Sequence, residues 1–217
     1  HPNSRRQRQM CIRDSYWDEA IDYLVSKDKK LKNIINSAGN VFLETSEDPF
    51  MTLFNSILGQ QISVAAAKSI KNKISTNFDI NPTSLSNANT DKLRECGLSR
   101  MKIKYLKDLS NKVLNNEISF NLLETLDDNE VKKYLTKVKG IGNWTAEMFM
   151  IFYLGRPNIL PVNDIGIINS LVKIYGENKK NINFNKYFLL WSPWNTVASW
   201  YLWRHSDQEL LSDGGEV

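Results

Sequence analysis

The stretch 135-LTKVKGIGNWTAEMFMIFYLGRPNILPVNDIGIINSLVKI-174 reads as a helix end, a tight Gly-x-Gly hairpin, a helix, a Pro-bounded loop and a helix that begins at an acid. Gly140 and Gly142 let Val138–Gly142 turn sharply without Cβ clashes, and the next helix starts at Asn143. Successive N–H groups on Val138, Lys139, Gly140, Ile141 and Gly142, continued by a helix N-terminus, form an anion site suited to a phosphate. A lone carboxylate, Asp164, follows in the first turn of the next helix, where the helix dipole favours its ionised form. Taken singly, each feature has a plainer explanation: an ordinary helix–helix turn, and a simple capping acid.

Outward from that stretch, the chain has 217 residues and is 41% hydrophobic, enough to bury a core in one compact unit or two small lobes. No run approaches the length of apolar sequence that a membrane helix needs, and nothing resembles a secretory leader. Two cysteines, Cys11 and Cys96, supply neither a disulfide framework nor a four-Cys metal cluster. His205 is the sole histidine besides His1, which argues against a His-based metal site or triad, so no metal is expected. A reducing cytoplasm is the expected setting, beside the nucleoid in a bacterium. The net charge of +4 is uneven: +3 on residues 1–15, −4 on residues 207–217 and +5 on the body. Such a balance is compatible with nucleic-acid binding without demanding it. The opening HPNSRRQRQMCIRDS resembles a translated sequencing adapter and is expected to be foreign to the fold, the alternative being a disordered basic arm.

Helical spacing dominates the rest, and no β-alternation appears. Two short helices are expected between Tyr16 and Ala38, broken near Lys27–Lys30. Asp48-Pro49 opens a stronger helix with Phe50, Leu53, Phe54, Ile57 and Leu58 on one face. Ser63 is placed to cap a helix whose Ala66, Ile70 and Ile74 repeat every four residues. Pro82–Asn89 has room for one turn, Thr90–Cys96 is a short helix stopped by Gly97, and Met101–Leu114 is basic and amphipathic. Asp127–Val138, Phe184–Leu190 and Trp194–His205 complete an all-α chain of about ten helices. On the last of these, Trp194, Val197, Ala198, Tyr201 and Leu202 share the core face, and Trp203 lies half a turn from Trp194.

Four ordered motifs then carry a resemblance. Leu135-x-x-Val138-Lys139-Gly140-Ile141-Gly142-x-Trp144-Thr145-Ala146 resembles the helix–hairpin–helix of the DNA glycosylase superfamily named for that hairpin and its Gly/Pro-rich loop ending in Asp. Gly155-Arg156-Pro157…Pro161-Val162-Asn163-Asp164 is similar to that loop. Ile57-Leu58-Gly59-Gln60-Gln61-Ile62-Ser63 resembles the segment after the entry helix of the 3-methyladenine DNA glycosylase II family, and Trp191–Arg204 that family's closing helix. The similarity spans roughly Asp48 to His205 and matches the compact form, without the extra N-terminal β-domain of longer members.

The resemblance implies a two-lobed helical fold with a central cleft. Residues 16–48 with 165–206 would form one lobe and 49–164 the other, the hairpin motif being 132–154 and residues 207–217 an acidic tail. It implies that Asp164 is catalytic, stabilising the charge that develops at C1′ as the N-glycosidic bond breaks. Trp203, Trp144 and Met148 would line the base pocket, Trp203 by stacking on a cationic purine. Gln61, or its neighbour Gln60, would fill the gap left by the extruded nucleotide. The hairpin residues would hold DNA phosphate, with Lys137, Lys68 and Arg204 as further candidate contacts. Trp144 stands where bifunctional relatives carry the lysine that forms a Schiff base, so base release without strand cleavage is expected. Asn163 replaces a second acid found in many relatives, and Met148 a pocket tyrosine found in some, which bears on substrate preference.

The reading is a monofunctional DNA glycosylase that removes alkylated purines, 3-methyladenine and 7-methylguanine, from duplex DNA by base flipping in base excision repair. Double-stranded DNA is the expected partner and the chain a monomer that touches no membrane. No cofactor is expected, although a cation held by hairpin carbonyls stays open. The rivals are a non-catalytic helix–hairpin–helix DNA-binding module, a glycosylase for other damaged bases, and a helical interaction protein whose Gly-x-Gly is merely a turn. The last would show no salt-sensitive DNA affinity.

Overall fold

The computed structural model describes residues 16–213, with side chains described to residue 206. The proposed foreign or disordered tail, 1–15, lies outside the described residues. Those described form thirteen helices and no strand, against about ten expected. The one with no counterpart in the sequence reading is Phe120–Leu123, a single turn that leaves too little periodicity to detect.

The described residues divide into two compact units, 16–45 with 155–213, and 46–154. The boundary falls at Leu154/Gly155, so the Gly155–Asp164 loop belongs to the terminal unit rather than, as expected, to the unit of the hairpin.

In the central unit, α3 (Pro49–Gly59) starts as its sequence requires, with Asp48 accepting from the Met51 N–H and proline at the first turn. Its face of Phe50, Leu53, Phe54, Ile57 and Leu58 is buried. Ser63 caps α4 (Val64–Asn77); of the row Ala66, Ile70 and Ile74, only Ile74 is buried, and Ala66 faces solvent. α5 (Pro82–Asn87), α6 (Thr90–Glu95) and α7 (Arg100–Leu114) follow, α5 and α6 packing on α7. Gly97 takes φ +102 after α6. The single turn α8 (Phe120–Leu123) was not expected. Next, α9 (Asp128–Leu135) carries a full capping box between Asp127 and Glu130. It ends three residues before the predicted Val138 because Thr136 starts the turn into the hairpin. α10 (Asn143–Phe152) runs back against α3 and α9.

The terminal unit is assembled from both ends of the sequence. α1 (Asp18–Lys27) and α2 (Lys29–Ala38) pack with α11 (Ile165–Tyr175), α12 (Phe184–Trp191) and α13 (Asn195–Asp213). Buried Trp17, Tyr187, Trp191 and Tyr201 form its aromatic centre. The break at Asp28 has a chemical purpose. One oxygen of this buried carboxylate caps α2 through Lys30 and Leu31 N–H, and the other accepts from Tyr175 Oη at 2.7 Å and Trp191 Nε1 at 2.9 Å. A buried charge is tolerated only when so satisfied. The backbone of α13 continues as helix to Asp213, through part of the segment expected to be an acidic tail.

Candidate active site and nucleic-acid interface

Asp164 is the N-cap of α11, its extended backbone (φ −76°, ψ 126°) turning the side chain back to accept the Ile167 N–H at 3.0 Å. The same oxygen accepts from Trp203 Nε1 at 2.7 Å. The carboxylate is 9% exposed. Thus the capping reading is correct, and the tryptophan predicted to stand off the core face of α13 is its partner. Half-buried Trp203 presents its N–H to an acid, a role that helical spacing alone did not foresee. Charge-assisted hydrogen bonds of this kind are short and strong and hold a carboxylate in one orientation.

The loop that delivers Asp164 is anchored along its length. Tyr16 Oη donates to the Gly155 carbonyl at 3.2 Å, and its ring stacks on Trp194 at 5.4 Å. Burial pushes the Tyr16 phenol up to about 12. Thr196, at the start of α13, binds three loop residues: its hydroxyl donates to the Arg156 carbonyl and accepts the Ile159 N–H, and its N–H donates to the Pro157 carbonyl. Asn158 joins Ser192 and Asn195 through side-chain hydrogen bonds. Nothing in an isolated threonine signals this function; only its position opposite the loop creates it.

In the central unit, hairpin and entry turn are built together. Gly140 takes φ +83, and an added Cβ would land in the ring of Tyr105, so glycine is required both for the backbone and for the space. Gly142 has φ −99 and open space around its Cα, so it needs glycine for neither reason. Five N–H groups were expected to face a phosphate, and the structure corrects three. Val138 and Ile141 donate inside the turn, to Leu135 and Val138 carbonyls, and Lys139 N–H donates to Asp108 Oδ2 at 2.9 Å. Among the described residues, the N–H groups of Gly140 and Gly142 have no recorded acceptor, and α10 begins beyond them with no side-chain cap. The run of N–H groups left to meet an anion is therefore shorter than predicted, and it leads into the helix N-terminus.

Gln60 also differs from expectation. Its amide donates to the Gly140 carbonyl at 2.9 Å and to Thr145 Oγ1 at 3.1 Å, tying the end of α3 to the hairpin. Half-buried and engaged, Gln60 braces the hairpin against the end of α3. Gln61 is exposed and holds φ +59, a left-handed conformation unusual for a residue with a Cβ. Lys102 Nζ donates to the Leu58 carbonyl at 2.6 Å, and burial lowers its pKa. Trp144 is half-buried on the first turn of α10, whereas Met148 is buried, 6% exposed, in the core-facing part of that helix.

The basic candidates are also partly engaged. Lys139 Nζ lies 3.6 Å from Asp108, Lys137 lies over the Tyr134 ring and Arg204 over the Trp200 ring, while Lys68 is exposed. Hairpin carbonyls that could hold a cation are partly used: Val138 accepts from Ile141, Gly140 from Gln60 and Gly142 from Ala146. Among the described residues no group of three or more His, Cys, Asp or Glu could hold a metal ion, and no helix is long and apolar enough to cross a membrane.

With this geometry in hand, comparison with known proteins identifies the lineage. Residues 54–195 match the family model of HhH-GPD superfamily base excision DNA repair proteins, which contains every hairpin residue and Asp164. The alkylbase DNA glycosidase-like protein mag2 of Schizosaccharomyces pombe is 30% identical, over 88% of this chain and 95% of its own length. DNA-3-methyladenine glycosylase 1 of the same yeast is 30% identical over 85% of each chain. The solved structure of S. pombe 3-methyladenine DNA glycosylase (Mag1) in complex with abasic DNA matches with a TM-score of 0.80 at 28% identity, covering 87% of this chain and 97% of that one. A DNA-3-methyladenine glycosidase from Bacillus halodurans matches with a TM-score of 0.71 at 34% identity, over 88% and 91% of the two chains. An all-helical chain with this hairpin and this loop to an acid thus belongs to the HhH-GPD superfamily of base excision DNA repair proteins.

Proposed function

We propose that the protein is a monofunctional DNA glycosylase that excises alkylated purines, 3-methyladenine and 7-methylguanine, from duplex DNA. The observation that carries this reading is the buried, two-fold hydrogen-bonded Asp164 at the start of α11 in a member of this superfamily. Relatives named as 3-methyladenine glycosylases, alike over most of both chains, support the substrate class. The hairpin would hold the backbone while the damaged nucleotide is drawn out of the stack, with exposed Gln61 entering the vacated space.

An N3- or N7-alkylated purine carries positive charge, so the C1′–N bond breaks with its electron pair passing to the base, which leaves neutral. The sugar then bears the charge. An ionised Asp164 stabilises that charge and orients the water that attacks C1′, whose proton passes to solvent or to the carboxylate. No general acid is needed for the leaving group, which fits a chain with a single histidine in its body. No cofactor takes part. Trp144 offers no amine for a Schiff base, so the product is an intact strand with an abasic site.

The test is base release from methylated duplex DNA. Asp164→Asn keeps the shape and is expected to lower the single-turnover rate by roughly a hundredfold or more, with abasic-DNA affinity retained. Unchanged release would remove Asp164 from the reaction. A wild-type chain that bound duplex DNA and released no alkylated base would be the non-catalytic module, and borohydride trapping of a covalent complex would overturn the monofunctional assignment.

A further inference from the structure

Gly166, the second residue of α11, is a helical glycine with no left-handed φ, so the backbone does not require it. What it lacks is a side chain in an occupied place. A Cβ there would sit 3.0 Å from Trp203 Cδ1, 3.3 Å from Trp203 Nε1 and 3.1 Å from Asp164 Oδ1. Two of these three atoms are the donor and acceptor of the 2.7 Å hydrogen bond between the indole and the carboxylate, and the third is the indole carbon next to the donor. All three contacts are tighter than most that a real Cβ makes, so a neighbour would have to give by a few tenths of an ångström, and these neighbours are not loose ends of flexible chains. The indole is a rigid ring, half-buried on α13, and the carboxylate is held through the same oxygen, Oδ1, by the Ile167 N–H. Ser170 Oγ, one turn further along α11, donates to the Leu202 carbonyl and so holds the two helices at a fixed spacing.

We propose that Gly166 is a positioning residue: the missing Cβ is the gap through which Trp203 reaches Asp164, and hence sets the carboxylate's orientation. Filling the gap with one methyl group forces the indole back by a few tenths of an ångström or turns the carboxylate about its own axis. Retreat of the indole weakens its hydrogen bond and leaves the Ile167 cap in place, whereas turning the carboxylate moves the one oxygen that takes both bonds. The proposal rests on the reading of Asp164 as the charge-stabilising group, but its geometric content can be tested without catalysis.

In Gly166→Ala, alanine replaces glycine inside a helix, which ordinarily favours the helix, so the melting temperature should hold or rise. Base release should nevertheless slow on the order of tenfold, since small misplacements of a reacting group are costly, with abasic-DNA affinity unchanged. Trp203→Phe keeps an aromatic ring and removes the donor. In that background Gly166→Ala should cost much less than in the wild type, because the contact it disturbs is already gone. The independent readout is the Trp203 indole N–H resonance, assigned by its loss in Trp203→Phe. Gly166→Ala should move it toward the solvent-exposed position and speed its hydrogen exchange. An unmoved resonance, or fully additive losses in the double variant, would overturn the proposal. A moved resonance in a protein whose wild type releases no base would retire the glycosylase reading and uphold the role of Gly166.

Discussion

Gln60 and Gln61 are neighbours of one residue type with opposite environments, and the difference decides what each can do. Gln60 spends its amide on the Gly140 carbonyl and Thr145, whereas Gln61 projects from a left-handed backbone into solvent. Gln60→Ala removes two hydrogen bonds at a half-buried position and is expected to destabilise the protein by about 1–2 kcal/mol, measured by urea denaturation, and to weaken duplex binding. Gln61→Gly should behave in the reverse sense. Glycine accepts φ +59 without strain, so stability should be unchanged or higher by a few tenths of a kcal/mol to about 1 kcal/mol, while extrusion of a base, followed by a fluorescent purine analogue beside the lesion, should slow. If Gln61→Gly extruded bases as the wild type does, its side chain would not be the wedge. Sequence spacing could not separate the two glutamines, since both sit in the same turn and only the fold brings the hairpin to one of them.

At the scale of the element, the hairpin between α9 and α10 contains two glycines that the motif treats alike and the structure does not. Gly140 is held by a left-handed backbone and by the Tyr105 ring; Gly142 by neither. Gly140→Ala is expected to cost roughly 2–4 kcal/mol of stability, combining strain and overpacking, visible as a lower melting temperature. Gly142→Ala should change stability by no more than about 0.5 kcal/mol and yet weaken binding to all duplexes alike, as the loss of a backbone grip would. Equal stability losses in the two variants would contradict this division. The positions of the helices themselves were legible: Asp48-Pro49, Ser63 and Gly97 are local signals, and each acts where it was expected to. On α4 the repeat of Ala66, Ile70 and Ile74 marks the greasier side without saying whether anything packs there, and only Ile74 is buried.

On the scale of the molecule, the terminal unit carries the tyrosines whose phenols are raised. Tyr16, Tyr175, Tyr187 and Tyr201 all shift up, chiefly through burial, with Asp28 adding to Tyr175 and Glu177 to Tyr187. A phenol that ionises less readily in the fold than in the unfolded chain contributes stability that is whole below its unfolded pKa of about 10 and is lost as pH rises through the folded value. Stability should therefore be flat through neutral pH and fall steeply above about pH 10. Phenolate absorbance of these residues should appear together with loss of helical circular dichroism. Smooth titration of all eight tyrosines before any loss of helix would show that this burial does not stabilise the unit.

The sequence by itself determined the helical class, most helix starts and stops and the hairpin, because caps, glycines and apolar periodicity act within a few residues of themselves; the family was legible only in the resemblance of four ordered motifs. It also singled out Asp164 and Trp203, one by its place at a helix start and the other by its angle on α13. What only the tertiary structure decided were the partners: Trp203 on Asp164, Asp108 on Lys139, Tyr105 under Gly140, Gln60 on the hairpin and Thr196 on the loop. These pair residues up to 85 positions apart. Hydrogen bonds and contact distances are set by where whole helices pack, and no local pattern encodes which distant donor will arrive within 3 Å of a given oxygen. Gly166 marks the limit most clearly. In the sequence it is a poor helix former two residues after an acid; in the fold it is the space between the acid and its indole.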